Sequence, residues 1–185
     1  MSFIIRASVF LVISIFIVVI SWRSLGNPKC HGFYRFFAFE SILVLVLLNI
    51  PFWFKNPLSP IQIIAWILLL FSAIFVFQGF YLLRKIGGHK AREDSSETLA
   101  FEDTANLVTD GIYQYIRHPL YSSLLLLAWG AYLKHVSFYG TVAVFLATAF
   151  LIATAKMEER ENIVSFGAPY EAYIKKTKMF IPFLL

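Results

Sequence analysis

The segment IQIIAWILLLFSAIFVFQGFYLL, residues 61 to 83, decides the fold class. It contains no charged residue, and about 20 consecutive apolar residues are enough for a helix to cross the hydrocarbon core of a bilayer. The overall composition agrees, because 59% of the 185 residues are hydrophobic and 15% are charged, compared with about 45–50% and about 25% in soluble domains. The sequence therefore predicts an all-α integral membrane protein.

Four more apolar segments have roughly the length of a membrane-crossing helix: Phe3–Trp22, Phe36–Phe54, Pro119–Leu133 and Ser137–Ala155. The last two are separated only by Lys134-His135-Val136, which predicts a tight antiparallel helical hairpin. Residues 156–176 are polar but suited to a helix, which Gly167-Ala168-Pro169 interrupts. We expect about five transmembrane helices, then a C-terminal helical segment whose apolar residues 179–185 rest on the membrane surface or on the bundle.

The distribution of basic residues predicts the orientation in the membrane. With five spans, the connections after the first and third spans and the C-terminal segment share one side. Of the 16 Lys and Arg residues, only Arg6, Lys55 and Lys134 fall on the other side, which leaves 13 on the shared side. Because positive charge is retained on the cytoplasmic side, we expect the C-terminal segment to be cytoplasmic.

The net charge of +5 would suggest a nucleic-acid partner in a soluble protein. Here the basic residues flank apolar segments, so membrane topology explains them and no nucleic-acid partner is expected. Cys30 is the only cysteine, so an intrachain disulfide cannot form.

The only long polar connection runs from Arg84 to Asp110. It contains Gly87-Gly88 and a run of acidic residues between Glu93 and Asp103. The part from Lys90 to Asp103 is typical of a solvated, mobile loop. The alternative is a lid over a binding site, which connections of this length often provide.

The first cluster of chemically active side chains lies at the start of the fourth span, within Gly111–Tyr121. Pro119 suits the first turn of a helix, and the residue before a proline is pushed out of the α region. His118 is therefore expected at a chain reversal, beside a helix N-terminus that can bind a carboxylate. Arg117 can pair with an anion, and Tyr113, Tyr115 and Tyr121 add aromatic faces. The alternative is an interfacial belt of aromatic and basic residues.

The second cluster is the acidic pair Glu158-Glu159, just after the fifth span. Adjacent helical positions point about 100° apart, so one carboxylate can face a cavity while the other pairs with Arg160 or Lys156. The alternative is a solvated start of a helix. Because the predicted hairpin returns the chain to the same face, we expect residues 106–121 and 158–159 to lie close together.

Together, these clusters resemble the isoprenylcysteine carboxyl methyltransferase family, which belongs to a wider group with the membrane phospholipid N-methyltransferases. The resemblance covers roughly residues 80–185. It rests on a hydrophobic hairpin flanked by these motifs: Gly111-Ile112-Tyr113, Arg117-His118-Pro119-Leu120-Tyr121, Glu158-Glu159, Phe166-Gly167, Tyr170, Tyr173 and Ile181-Pro182.

The resemblance implies a membrane methyltransferase that uses S-adenosyl-L-methionine at the cytoplasmic face. It divides the chain into N-terminal transmembrane helices, 1–83, and a cofactor-binding methyltransferase region, 84–185. It assigns these residues to the cofactor: Asn106, Leu107, Val108, Tyr113, His118, Pro119, Leu120, Tyr121 and Glu158.

The acceptor is expected to be lipophilic and to enter from the bilayer. If it is a carboxylate, Arg117 would orient it; if it is an amine, Glu159 would remove its proton. The sequence leaves this choice open, and no metal is expected. The lack of a Gly-x-Gly-x-x-Gly loop argues against a soluble methyltransferase of the dinucleotide-binding fold.

The chain departs from the family pattern on the acceptor side. Thr154 stands where prenylcysteine enzymes carry an arginine, and a hydroxyl cannot supply that charge. Ala172 and Met179 occupy the positions of a glutamate and an arginine, with Glu171 and Lys178 as the nearest substitutes. The isoprenylcysteine specificity therefore does not transfer.

Two other functions stay open. Membrane sterol-type reductases have a similar C-terminal helical arrangement, but they bind NADPH and would need several basic groups for its phosphates. The other alternative is a membrane subunit without enzymatic activity.

Overall fold

The structure, a computed structural model, describes residues 2–88 and 104–181. The predicted lid, Lys90–Asp103, lies outside the described residues. Within them the chain is helical, with a single isolated β-bridge. The helices are α1 (Phe3–Leu25), α2 (His31–Asn49), α3 (Pro60–Leu82), α4 (Pro119–Tyr132), α5 (Phe138–Phe166) and α6 (Ala168–Lys176). Shorter helical turns cover Ile50–Phe52, Leu83–Gly87 and Gly111–Gln114.

Four helical segments of the described chain are long and apolar enough to cross a membrane: Phe3–Leu25, His31–Phe52, Pro60–Gly87 and Phe138–Phe166. This confirms the predicted all-α integral membrane fold. The predicted fourth span is α4, which has 14 residues. At 1.5 Å per residue it covers about 21 Å, less than the roughly 30 Å of the hydrocarbon core.

The hairpin between α4 and α5 forms as predicted, and α5 then continues well past its apolar part. It ends at Phe166, and the φ of 63° at the following Gly167 lies in the left-handed region that favours glycine. Pro169 follows in the first turn of α6, where its missing N–H is tolerated. Glu158 and Glu159 therefore lie in the last third of the helix whose apolar part is long enough to cross the membrane.

The core lies between α2, α4 and α5. Many of its buried residues are alanines, among them Ala38, Ala128, Ala131, Ala143, Ala147 and Ala155. Small residues allow membrane helices to approach closely. Helix α1 packs against α2 and exposes most of its large apolar side chains, from Phe3 to Trp22, as expected of a helix that faces lipid.

Polar contacts tie the connections at one end of the bundle together. The side chain of Asn49 donates to the carbonyl of Ala131 at 2.8 Å, and that of Gln62 donates to the carbonyl of Lys134 at 2.9 Å. His135 stacks on Phe52 with ring centroids 3.8 Å apart. This is the end that the charge distribution assigned to the non-cytoplasmic side, and that orientation stays a prediction.

The C-terminal segment packs on the bundle at the opposite end. Ile116 and Lys178 form a parallel β-bridge. The N–H of Arg117 donates to the carbonyl of Lys178 at 2.8 Å, and the N–H of His118 donates to that of Met179 at 3.2 Å. Phe180 is buried in the core. The described part of the apolar tail therefore rests on the bundle, whereas residues 182–185 lie outside the described residues.

Candidate active site

The hairpin brings the two predicted clusters into direct contact. Arg117 Nε donates to Glu159 Oε1 at 2.6 Å, and His118 Nε2 lies 3.3 Å from the same oxygen. His118 Nδ1 lies 3.9 Å from Glu158 Oε2. The expectation that residues 106–121 and 158–159 are close neighbours is confirmed.

The partner of the second glutamate differs from the one expected. Glu159 pairs with Arg117, whereas the sequence suggested Arg160 or Lys156. Arg160 is exposed and its guanidinium lies against the sulfur of Met157. The ion pair forms across the hairpin, and the β-bridge between Ile116 and Lys178 fixes the backbone next to Arg117.

Close packing against the end of α3 fixes the chain that leads into α4. The N–H groups of Ala105 and Asn106 both donate to the carbonyl of Gly87, at 2.8 and 2.9 Å. Gly111 has a φ of 58°, and a Cβ there would lie 2.7 Å from Leu82 Cδ1. A side chain would thus be both strained and crowded at this turn. The turn places Tyr113 with its hydroxyl 3.4 Å from the carbonyl of Gly79.

A cavity of about 130 Å³, partly open to solvent, lies between these segments. It is lined by residues from α2 (Arg35, Phe39), from the chain before and within α4 (Leu83, Thr104, Leu107, Val108, Tyr113, Arg117, His118, Pro119, Leu120, Tyr121, Leu124) and from α5 and α6 (Glu158, Asn162, Phe166, Tyr170, Tyr173).

The polar part of the cavity combines aromatic rings, the Glu158 carboxylate and the guanidinium groups of Arg35 and Arg117. The rings of His118 and Tyr121 are stacked with centroids 5.5 Å apart, and Tyr170 lies 5.8 Å from Tyr173. Burial raises the pKa values of Tyr113, Tyr170 and Tyr173, so these phenols stay protonated. Aromatic faces beside the Glu158 carboxylate suit a cationic ligand group.

A family model described as Phospholipid methyltransferase matches residues 60–166. The chain belongs to this family. It is 32% identical over 76 residues to a methanethiol S-methyltransferase of Crocosphaera subtropica (41% of this chain, 29% of the relative). It is 37% identical over 79 residues to a protein-S-isoprenylcysteine O-methyltransferase of Schizosaccharomyces pombe (42% of this chain, 34% of the relative).

A longer match, to methanethiol S-methyltransferase 1 of Bradyrhizobium diazoefficiens, is 24% identical over 175 residues (85% of this chain, 56% of the relative). The chain thus spans between about a third and somewhat over half the length of these three curated relatives. No solved structure matches the chain.

Most residues that the sequence assigned to a cofactor line the cavity of this phospholipid methyltransferase family member. They are Leu107, Val108, Tyr113, His118, Pro119, Leu120, Tyr121 and Glu158. Asn106 is exposed, and its side chain donates to the carbonyl of Ile86 at 3.2 Å. Arg117 also lines the cavity, whereas Glu159 lies behind Arg117 and His118 and is not among the described lining residues. Their roles stay predictions.

The sequence did not predict several lining residues, and four of them had a readable signal. Asn162 is one helical turn after Glu158, so it shares the face of α5 that meets the cavity. Phe166, Tyr170 and Tyr173 belong to the motifs of the family resemblance, which gave them no role. Arg35 and Phe39 had no such signal, because α2 precedes residue 60, where the match to the phospholipid methyltransferase family begins.

Thr154, Glu171 and Lys178, which were considered for the acceptor side, are not among the described lining residues of the cavity. Thr154 is fully buried, and its hydroxyl donates to the carbonyl of Phe150 at 2.7 Å. Glu171 and Lys178 are exposed, and neither belongs to the described lining. The sequence-based conclusion that prenylcysteine specificity does not transfer therefore stands as a prediction for this family member.

Proposed function

We propose that this chain is an S-adenosyl-L-methionine-dependent membrane methyltransferase that acts on a lipophilic acceptor. One observation carries the proposal: in a member of a methyltransferase family, the cavity between α4, α5 and α6 joins the Glu158 carboxylate to the rings of Tyr113, Tyr121 and Tyr170. The division into N-terminal helices, 1–83, and a cofactor-binding region, 84–185, is part of this proposal.

The lining of the cavity fits the cofactor in chemistry. S-adenosylmethionine carries a sulfonium, an amino-acid zwitterion and a nucleoside. Aromatic faces stabilise a sulfonium by roughly 0.5–2 kcal/mol, and Glu158 can accept hydrogen bonds from an ammonium or from ribose hydroxyls. Leu107, Val108 and Leu120 give the nucleoside an apolar surface. When bound, the cofactor supplies an electrophilic methyl carbon.

The apolar part of the lining supports a lipophilic acceptor. Phe39, Leu83 and Leu124 line the cavity from α2, from the end of α3 and from α4, all of which contact the membrane region. An acceptor can then enter from the bilayer while the cofactor enters from water, on the side that the charge distribution predicts to be cytoplasmic. Holding both near attack distance can lower the barrier by about 7–11 kcal/mol.

The contacts of Arg117 and Glu159 favour a positioning role. Arg117 Nη1 donates to the carbonyls of Thr177 and Ile174, at 2.5 and 3.3 Å, while its Nε is held by Glu159. These contacts of Arg117 connect the start of α4 with α5 and with the C-terminal segment. The direct roles considered from the sequence, orienting a carboxylate and removing a proton from an amine, stay predictions that depend on the acceptor.

A transfer assay tests the proposal. The purified protein in lipid nanodiscs is incubated with methyl-labelled S-adenosylmethionine and, separately, with a prenylated N-acetylcysteine, phosphatidylethanolamine, an alkanethiol and a total membrane lipid extract. These acceptors offer a carboxylate, an amine, a thiol and a mixture. We expect labelled product from at least one of them, and no label from any would contradict the proposal.

Calorimetric titration separates the two remaining alternatives. We expect S-adenosylhomocysteine to bind and NADPH not to bind. Tight binding of NADPH alone would favour the sterol-type reductase, and binding of neither ligand would favour a membrane subunit without a cofactor.

A further inference from the structure

Helix α2 contributes a positive charge to the cavity. Arg35 lines the cavity although its side chain is almost fully buried, with 2% of the residue exposed. It lies outside residues 60–166, the part of the chain that matches the family model. The packing of α2 along α5 therefore adds a cation that the family match does not contain.

A chain of polar contacts from α5 holds Arg35 in place. His31 is one helical turn before Arg35, so both project from the same face of α2. His31 Nδ1 lies 2.5 Å from Glu161 Oε2, and its backbone N–H donates to Glu161 Oε1 at 2.9 Å. Arg35 Nη1 lies 3.5 Å from His31 Nε2. We assign the neutral tautomer in which Nδ1 donates to Glu161 and Nε2 accepts from Arg35.

The same residues do not form a good metal site. Sγ of Cys30, a ring nitrogen of His31 and a carboxylate oxygen of Glu161 lie within 4.8 Å of one another. However, the thiol of Cys30 accepts from the N–H of Gly32 at 3.3 Å, which caps α2. The guanidinium of Arg35 beside His31 would also repel a metal cation. These contacts instead hold the Arg35 side chain in one orientation.

We propose that Arg35 binds the carboxylate of a ligand in this cavity, an inference that rests on the proposed methyltransferase function. The planar donors of a guanidinium match a carboxylate in two places, and Arg35 lines the same cavity as the Glu158 carboxylate.

The carboxylate can come from two ligands. The amino-acid part of the cofactor is a zwitterion, which Arg35 and Glu158 complement as a pair of opposite charges in the same lining. An acceptor such as a prenylated cysteine also carries a carboxylate. In both cases Arg35 binds the same chemical group, and His31 and Glu161 act as positioning residues.

Matched ligand pairs distinguish the two sources. Wild-type protein and Arg35→Met are titrated with S-adenosylhomocysteine and its decarboxylated analogue, then with S-farnesyl-N-acetylcysteine and its carboxamide. If the carboxylate belongs to the cofactor, Arg35→Met lowers affinity for S-adenosylhomocysteine by about 10- to 100-fold and leaves binding of the decarboxylated analogue unchanged. If it belongs to the acceptor, the same contrast appears in the second pair only.

Unchanged affinity of Arg35→Met for both carboxylate ligands would overturn the inference. Arg160→Met is the matched control, because Arg160 is exposed on α5 outside the described lining, and we expect wild-type binding. If Arg35→Met does not fold, Arg35→Lys and Glu161→Gln take its place. Both variants should weaken binding of the same carboxylate ligand and leave binding of its neutral analogue unchanged. Wild-type affinity of both variants for the carboxylate ligands would again overturn the inference.

The result also separates this inference from the function on which it rests. Suppose that the wild-type protein binds S-adenosylhomocysteine and that Arg35→Met binds every ligand with wild-type affinity. That result contradicts only the role of Arg35. Wild-type protein that does not bind S-adenosylhomocysteine contradicts the methyltransferase proposal, and the inference falls with it.

Discussion

Replacing Glu158 by glutamine is expected to lower the affinity for S-adenosylhomocysteine by about 10- to 100-fold. The substitution keeps the shape of the side chain but removes the one carboxylate in the described lining of the cavity. Hydrogen bonds to a charged group contribute about 1.5–3 kcal/mol, and about 1.4 kcal/mol corresponds to a factor of ten. Calorimetric titration of the purified protein measures the change directly.

Little loss of stability should accompany this loss of binding. The contact of Glu158 with His118 Nδ1 is long, at 3.9 Å, and a quarter of the Glu158 side chain is exposed. Glu171→Gln is the matched control, because it removes the same charge from an exposed position on α6. If Glu158→Gln bound the ligand as tightly as Glu171→Gln, Glu158 would have no part in cofactor binding.

Replacing Arg117 by methionine is expected to destabilise the protein by up to about 3–5 kcal/mol, the cost of removing one partner from a fully buried ion pair. The change leaves Glu159 without its guanidinium partner when only 15% of its side chain is exposed. It also removes the donor to the carbonyls of Ile174 and Thr177. Denaturant unfolding in detergent micelles measures the free-energy difference.

Two further variants define this effect. Arg160→Met removes an exposed arginine and should change the free energy of unfolding by no more than about 0.5 kcal/mol. The double variant Arg117→Met/Glu159→Leu should recover part of the loss, because it leaves no unpaired carboxylate. Arg117→Met that unfolds at the same denaturant concentration as Arg160→Met would mean that the ion pair is not structural.

The helical frame was largely readable from the sequence because lipid imposes a minimum length of apolar residues on each span. The predicted third span, Ile61–Leu83, agrees with α3 to within a residue at either end. The predicted start of the second span, Phe36, is five residues too late, since α2 begins at His31. His31 and Arg35 are polar and look like a connection, but Glu161 pairs with His31 and allows the helix to begin there.

The site was readable where it depends on the hairpin. A connection of a few residues must return α5 to the end where α4 begins, so the proximity of His118 to Glu158 followed from the chain order. Contacts between distant elements were not readable in this way. The bridge from Ile116 to Lys178 and the entry of Arg35 into the cavity depend on how α2 and the C-terminal segment pack, and no local pattern encodes that packing.

An experimental structure of the protein with S-adenosylhomocysteine tests the central claim most directly. The claim is that the segments before α4 and after the apolar part of α5 form one cofactor site at one end of the bundle. We predict ligand density in contact with Tyr113, Glu158 and Tyr170, enclosed by His118 and Tyr121. A ligand bound elsewhere on the protein, or a cavity that stays filled by side chains at saturating ligand, would contradict it.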